Sequence, residues 1–337
     1  MSYEVVGITV LWIFLYGYLI VASVDFGAGF FSYYTKRTKK NHIIHKIIQR
    51  YLSPVWEVTN VFLVFFFIGI VAFFPQTAYY YGSALLIPGS VAIVLIAIRG
   101  SYYAFATYGA KESPFFNFLY GATGLLIPAS LTTVLTISEG GYITKENGHV
   151  QLLYGELFRS PYSWGVVILA IVSVLFISAA FLTYYANKAK DKGALELLRK
   201  YALIWSFPSI GMGIVVFFLL SKQNYVHFQN MVDIWWVFGI SFISFAAATF
   251  LIWKRRNYGI AFILVMMQYF AAFFGYGVSH FPYLLYPYLT IYDGFTNETM
   301  AIALISAFVA GLLLLIPSLY LLMKLFLFDA EYVEGKR

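Results

Sequence analysis

The sequence predicts an all-α, polytopic integral membrane protein with about nine transmembrane helices. Of its 337 residues, 61% are hydrophobic and only 11% are charged, and the mean hydropathy is +0.77. A soluble domain is typically about 45–50% apolar and about 25% charged. The composition therefore excludes a soluble globular enzyme and predicts that residues 1–337 form a single transmembrane domain.

Apolar runs bounded by charged residues, or by proline and glycine, define the predicted spans. The nine spans cover residues 5–30, 56–74, 79–98, 116–137, 162–186, 201–221, 232–252, 259–281 and 299–326. The first run has no basic segment before it and no small-residue cleavage site, so we interpret it as a retained span and not as a signal peptide.

Basic residues are distributed unevenly between the predicted loops. With nine spans, 19 of the 22 lysines and arginines lie on one side, and only Lys145, Arg159 and Lys222 lie on the other. Because cytoplasmic loops retain Lys and Arg, this asymmetry predicts an outside N-terminus and a cytoplasmic C-terminus. The net charge of +7 therefore reflects membrane topology and does not indicate nucleic-acid binding.

The histidine and cysteine content limits the cofactors that this chain can hold. The chain has no cysteine, which excludes thiolate-bound zinc, iron–sulfur clusters and c-type haem attachment. A haem between spans needs His or Met ligands directed into the bundle. The histidines are predicted outside the spans or at their ends: His42, His45, His149 and His227 in loops, and His280 at the outer end of span eight. We therefore expect no haem and no metal on this chain alone.

Three ionisable residues are predicted near the inner ends of spans one to three. Asp25 lies in the inner half of span one, Glu57 begins span two behind Ser53 and Pro54, and Arg99 ends span three. Because these ends meet at one membrane face, the three side chains can share one site. Charged groups within a membrane are costly and are commonly functional, so a carboxylate there is a candidate proton relay.

Each of these residues also has a structural interpretation. Asp25 could form an ion pair or hydrogen bond with a neighbouring helix, Glu57 suits the positive end of a helix dipole, and Arg99 could extend its charge to the membrane interface. Asn60, within span two, is expected to hydrogen-bond to another helix. The residues alone leave these alternatives open.

Several stretches together resemble subunit II of the bacterial cytochrome bd quinol oxidases. They are Val24-Asp25-Phe26-Gly27-Ala28-Gly29, Pro54-Val55-Trp56-Glu57, Ala72-Phe73-Phe74-Pro75, Arg99-Gly100, His280-Phe281-Pro282-Tyr283 and Thr290-Ile291-Tyr292-Asp293-Gly294. They occur in family order over most of the chain. The family usually has an aspartate where this chain has Glu57, which indicates a divergent branch.

The resemblance implies a subunit of a respiratory terminal oxidase in the bacterial cytoplasmic membrane. Such an oxidase oxidises quinol at the outer side and reduces dioxygen to water with cytoplasmic protons. The resemblance also implies a larger partner, subunit I, which carries two b-type haems and one d-type haem. Lipid and quinone are further expected partners, and a small single-span third subunit is left open.

For this chain, the resemblance implies a scaffold of two four-helix bundles and one extra helix. The corresponding pseudo-repeat halves are roughly 1–140 and 160–285, with the extra helix at 299–326. Carried over by position, the proton pathway comprises Asp25 and Glu57. Trp56, Asn60 and Arg99 are its expected supporting residues.

Two other functions remain open from the sequence. Intramembrane acids, and a span six that contains Pro208 with Gly211 and Gly213, are compatible with a secondary transporter. An assembly subunit with no role in proton transfer is the other alternative.

The topology is directly testable. We expect the segments 31–55, 99–115, 187–200 and 253–258 to face the cytoplasm, because they carry most of the basic residues. Single cysteines introduced into this cysteine-free chain should react there with an impermeant reagent only in inside-out vesicles. Labelling of the segment 31–55 from the outside would contradict the predicted architecture.

Overall fold

The computed structural model describes residues 2–108, 114–146 and 148–324, and within these ranges the side chains of several segments, including 49–58 and 104–108, are outside the description. The first part of the chain forms α1 (Tyr3–Arg37), α2 (Asn41–Phe73), α3 (Gln76–Ala84), α4 (Leu86–Tyr108), α5 (Pro114–Leu131) and α6 (Thr133–Ser138). A hairpin of β1 (Ile143–Glu146) and β2 (His149–Leu152) follows, with Ile143 opposite Leu152.

The second part of the chain also contains both long and short helices. It forms α7 (Tyr154–Arg159), α8 (Pro161–Lys188), α9 (Lys192–Gln223), α10 (Tyr225–Asp233), α11 (Trp235–Trp253) and α12 (Tyr258–His280). A second hairpin, β3 (Tyr283–Leu285) and β4 (Leu289–Thr290), precedes α13 (Glu298–Met323).

The apolar helices match the predicted spans in order. Among the described residues, eight helices are long and apolar enough to cross a membrane, and the apolar part of α2, Thr59–Phe73, is shorter. The predicted polytopic all-α fold is therefore confirmed.

Helix α1 lies at the centre of the packing. It contacts α2, α5, α8, α12 and α13, and it contributes residues to both of the largest hydrophobic clusters. Helices α1, α2, α4 and α5 form one group, and α8, α9, α11 and α12 form the other. The groups meet where α8 packs on α1 and α5, and α13 packs against α1 and α2.

The predicted pseudo-repeat halves remain a prediction, which the order of helix lengths supports. Each group begins with two long helices, of 35 and 33 residues in the first and of 28 and 32 residues in the second. In both groups a nine-residue helix comes next. Two further apolar helices follow each short helix.

Side-chain caps determine where several helices of the second part begin. Ser160 accepts from the backbone N–H of Ser163 and is followed by Pro161 at the first helical position. The side chains of Asp191, Asn224 and Asn297 accept from N–H groups at the starts of α9, α10 and α13. Each cap satisfies a backbone donor that the helix itself cannot pair.

Contacts between helix ends agree with the predicted topology. Arg255, between α11 and α12, donates to Glu196 of α9 at 3.2 Å, and Gly193 at the start of α9 faces Ile43 of α2. Three of the predicted cytoplasmic segments thus meet at one end of the bundle. At the opposite end, Gln223 of α9 donates to the carbonyl of Gly140 after α6 at 2.8 Å.

Several predicted boundaries are wrong, and the predicted loop 187–200 is one example, because α9 begins at Lys192. The segment 31–55 was expected to be a loop, but α1 extends to Arg37 and α2 begins at Asn41. Its isoleucines recur at helical spacing, and Ile44 and Ile47 are fully buried, so this basic segment is an amphipathic helix that average hydropathy does not detect. Consequently Ser53 and Pro54 lie inside α2 and do not begin a span.

Span three is also displaced along the chain. The predicted span 79–98 is divided at Leu85 between α3 and α4, because the tyrosine-rich segment Gln76–Ala84 forms a separate short helix. As a result Arg99 lies within α4 and not at its end.

A glycine substitution tests the close packing around α1. A Cβ atom on Gly124 of α5 would lie 2.3 Å from the carbonyl oxygen of Phe26, whereas one on Gly211 of α9 would meet nothing within 4 Å. Because a backbone atom cannot move aside, Gly124→Ala should destabilise the protein by about 1–3 kcal/mol or more. Thermal unfolding should show a lower midpoint for Gly124→Ala and no such loss for the control Gly211→Ala.

Candidate functional site

The candidate functional site is a buried ion pair between Asp25 of α1 and Arg99 of α4. Arg99 Nε donates to Asp25 Oδ2 at 2.8 Å, and neither side chain is more than 3% exposed. Arg99 Nη2 also donates to the backbone carbonyl of Asp25 at 2.7 Å. One guanidinium therefore holds both the side chain and the main chain of Asp25, which fixes the orientation of the carboxylate.

Groups on α4 and α5 complete the shell around the pair. Arg99 Nη1 donates to the Tyr120 carbonyl at 2.9 Å and to Thr123 Oγ1 at 3.3 Å, and the Tyr120 ring lies under the guanidinium at 4.3 Å. The Tyr103 hydroxyl donates to Asp25 Oδ1 and lies 3.4 Å from the Tyr120 hydroxyl. Both carboxylate oxygens thus have partners, as a buried charge requires.

Glycines allow these groups to reach α1. A Cβ atom on Gly29 would lie 2.8 Å from the Tyr120 carbonyl oxygen and 3.0 Å from the Arg99 guanidinium. A Cβ atom on Gly27 would lie 2.3 Å from Cβ of Ser178, on α8. The glycines next to Asp25 therefore allow α5, α8 and the Arg99 side chain to contact α1.

The arrangement can hold and exchange a proton at one defined atom. Arg99 occupies Oδ2, which leaves Oδ1 as the oxygen that accepts the Tyr103 hydroxyl hydrogen. At 1.5 Å per residue, Asp25 lies about 18 Å along α1 from Arg37. Tyr103 lies one turn beyond Arg99, toward the end of α4 that is predicted to be cytoplasmic.

The structure brings together two of the three residues predicted to share a site. Asp25 and Arg99 form the pair, but Arg99 does not extend to the membrane interface as one interpretation expected. It is 2% exposed, because Asp25 balances its charge inside the bundle. The side chains of Trp56 and Glu57 lie outside the described residues. Asn60 is half-buried on α2, and the predicted supporting role of this side chain remains a prediction.

Comparison with known proteins identifies the family of this chain. Residues 3–326 match the cytochrome bd terminal oxidase subunit II family. The chain belongs to the cytochrome bd oxidase subunit II family. The resemblance noted in the sequence is therefore confirmed.

Two relatives cover nearly the whole subunit. A Bacillus subtilis (strain 168) protein named as a cytochrome bd menaquinol oxidase subunit II is 33% identical over 340 residues, 98% of this chain and 97% of the relative. A chain of the bd oxidase from Geobacillus thermodenitrificans is 62% identical with a TM-score of 0.86, covering 98% of this chain and 100% of that one.

Membership in the cytochrome bd family defines the class of this protein. It is a multi-pass bacterial membrane protein and an oxidoreductase subunit of a terminal oxidase. The family supports the oxidase hypothesis and gives no support to the alternative of a secondary transporter.

This subunit II chain also has a second buried polar cluster, formed by Glu139, His227 and His280. Glu139 follows α6, His227 lies in α10 and His280 ends α12. His227 Nδ1 lies 3.0 Å from both carboxylate oxygens of Glu139. Tyr276 donates to Glu139 Oε1 at 2.5 Å, and Asn224 donates to Oε2 at 3.0 Å.

Burial and hydrogen bonding act in opposite directions on Glu139. Burial alone would raise the pKa of this carboxyl group, but the hydrogen bond with His227 and the electrostatic effect of the His280 and His227 imidazoles outweigh it. Together with the hydrogen bond from Tyr276, they hold the pKa below its ordinary value.

The sequence does not predict this cluster. His227 is predicted in an outer loop, but it is 2% exposed within α10, and no sequence feature marks Glu139. The N-cap at Asn224 is the one local signal for α10, because an asparagine three residues before His227 can accept from its N–H. No signal in the sequence joins position 139 to positions 227 and 280.

The buried ion pair makes a testable contribution to assembly. Asp25→Asn or Arg99→Gln alone leaves one uncompensated buried charge, and each should cost about 3–5 kcal/mol. The double variant removes both charges, so we expect it to recover most of that loss. The measurement is the thermal unfolding midpoint and the yield of the haem-containing complex. Additive losses in the double variant would show that the two charges do not stabilise each other.

Proposed function

We propose that this chain is the haem-free subunit of a quinol-oxidising cytochrome bd complex and that it delivers cytoplasmic protons through Asp25. Subunit I is its proposed partner, carrying two b-type haems and one d-type haem. The name of the Bacillus subtilis relative supports menaquinol as the reductant. A small third subunit remains a prediction.

The reaction of the complex requires a route for protons. Two quinols give up four electrons and four protons, and one dioxygen takes up four electrons and four protons to form two waters. When quinol is oxidised at the outer side and the protons for water come from the cytoplasm, the reaction separates charge across the membrane. Those protons must cross a low-dielectric region, in which a carboxylate is a suitable carrier.

The single observation that carries the proposal is the asymmetric binding of the Asp25 carboxylate. Arg99 holds Oδ2, while Oδ1 accepts the hydrogen of the Tyr103 hydroxyl. A proton that reaches Tyr103 from the inner water can enter the hydroxyl as the existing hydrogen moves to Oδ1. Tyrosine then never carries a net charge, and Asp25 becomes protonated at the oxygen that Arg99 does not hold.

A role in assembly alone is the competing function. The same ion pair joins α1 to α4 and, through the Tyr120 carbonyl, to α5. A loss of activity in Asp25→Asn could therefore result from poor assembly. The test must separate two effects of losing the Asp25 carboxylate: an unbalanced charge on Arg99, which impairs assembly, and the loss of a group that carries a proton.

The double variant Asp25→Asn with Arg99→Gln makes this separation, because it has no buried charge and no titrating carboxyl group. We expect it to assemble with a normal haem spectrum but to consume oxygen at least about tenfold more slowly, as for the loss of a proton-transfer group. An assembled double variant with wild-type turnover would reduce this chain to a scaffold.

Two single variants refine the route. Tyr103→Phe removes the hydroxyl that donates to Asp25 Oδ1 and leaves the ion pair in place, so turnover should fall while assembly is unchanged. Glu57→Gln should be milder than the double variant, because water can bypass a residue near the predicted entrance of the route. An equal loss in Glu57→Gln and the double variant would instead assign the main relay to Glu57.

A further inference from the structure

Glu139, His227 and His280 converge on one point at the end of the bundle predicted to be outer. They come from three segments that are distant in sequence, and they are 1%, 2% and 8% exposed. One carboxylate oxygen and two ring nitrogens lie within 4.8 Å of one another. Neither the proposed proton route nor the hydrophobic packing uses them.

The three donor atoms form a triangle of the size that a metal ion requires. Glu139 Oε1 lies 3.0 Å from His227 Nδ1 and 3.7 Å from His280 Nδ1, and the two nitrogens are 3.3 Å apart. In tetrahedral zinc sites with bonds of about 2.0–2.1 Å, neighbouring ligand atoms are about 3.3–3.4 Å apart. A metal ion about 2.05 Å from all three atoms would lie about 0.6 Å out of the plane that they define. In a regular tetrahedral site with the same bond length, the ion lies about 0.7 Å out of the plane of any three of its ligands.

We propose that Glu139, His227 and His280 bind a divalent transition-metal ion, with Zn²⁺ as the best match to the donor set. Two imidazoles and one carboxylate favour Zn²⁺, Cu²⁺ or Ni²⁺ over Ca²⁺ and Mg²⁺, which prefer oxygen ligands. Three protein ligands leave a fourth position for water. The ion would join the end of α6 to α10 and α12, and so would connect the first part of the chain to the second.

The hydrogen bonds of His227 prepare Nδ1 as a ligand. Its Nε2 lies 2.8 Å from Ser279 Oγ. The single hydrogen of that hydroxyl is directed to the carbonyl of Gly275 or Tyr276 one turn earlier, at 2.8 and 3.0 Å. When Ser279 donates to one of these carbonyls, it accepts from His227 Nε2–H, and in the neutral ring this leaves the lone pair on Nδ1 for a metal ion. An outer partner of this kind is typical of metal-binding histidines.

Hydrogen bonds account for only part of the contacts in the cluster. His280 Nδ1 lies 3.3 Å from His227 Nδ1, within hydrogen-bond distance, but 3.7 Å from Glu139 Oε1, which is too far for a hydrogen bond. His280 Nε2 is buried with no hydrogen-bond partner among the described residues. A metal ion, in contrast, would coordinate both Nδ1 atoms and Oε1 at once.

Residues around the carboxylate hold it in place without occupying the proposed metal position. Asn224 donates to Oε2 and Tyr276 to Oε1. The Tyr276 ring is stacked on His280, with an angle of 8° between the planes. These contacts fix the orientations of Glu139 and His280, which an ordered metal site requires.

The test uses the complete oxidase complex, loaded with Zn²⁺ and then desalted. Mass spectrometry measures the ratio of zinc to haem iron in each complex. We expect the wild-type complex to retain one more zinc ion than the His227→Gln/His280→Gln double variant. X-ray absorption at the zinc edge should show two imidazole ligands with N/O distances of about 2.0–2.1 Å. The matched control is His149→Gln, which removes an exposed histidine of β2 and should retain the zinc.

A milder variant keeps the proposal testable if the double variant fails to assemble. Ser279→Ala removes the hydroxyl that orients His227, and alanine is well tolerated inside a helix. This variant should weaken zinc binding by about 10-fold or more. Equal zinc retention in wild type and the double variant would overturn the proposal. So would a zinc shell made only of oxygen, or unchanged zinc affinity in Ser279→Ala.

Discussion

The buried ion pair between Asp25 and Arg99 is the constraint on which the packing of this subunit depends. Two charges removed from water are tolerated only when their mutual attraction and further hydrogen bonds compensate for the lost hydration. That requirement brings α4 and α5 against one segment of α1, since Arg99 binds Asp25 through both its side chain and its carbonyl. The glycines beside Asp25 follow from it, because any side chain at Gly29 would collide with the guanidinium that balances the carboxylate.

The same segment of α1 joins the two helix groups. Ser178 of α8 donates to the carbonyl of Val24 at 2.8 Å, one residue before Asp25, and Gly27 allows α8 to approach so closely. One face of α1 therefore holds the ion pair, and another holds the second helix group. Assembly and proton transfer cannot be assigned to different residues here, because the carboxylate proposed to carry the proton is also the one that organises the centre of the subunit.

The sequence predicts the features that depend on average hydropathy and charge over long segments. It does not predict the features that depend on local helical periodicity or on tertiary contacts. Apolar runs were enough to give the order of the spans, and the distribution of basic residues predicted their orientation. The amphipathic start of α2 was missed because its isoleucines alternate with charges, so its mean hydropathy resembles that of a loop. Asp25 and Arg99 could be expected to meet, since the topology places their helix segments at one membrane face. The cluster of Glu139, His227 and His280 could not be predicted, because side chains so far apart in sequence are brought together only by the packing of α6, α10 and α12.

The two buried polar clusters differ in how their charge is balanced. Asp25 is neutralised by Arg99 within the chain, and each nitrogen of the guanidinium and each oxygen of the carboxylate has a hydrogen-bond partner. Glu139 has no lysine or arginine within salt-bridge distance among the described residues, and its nearest basic groups are two imidazoles that face each other as well as the carboxylate. One carboxylate oxygen and the Nδ1 atoms of both imidazoles face one another, so a cation at their centre would contact all three. The first cluster is thus complete as folded, whereas the second has the composition and spacing of a site that is completed by a bound cation.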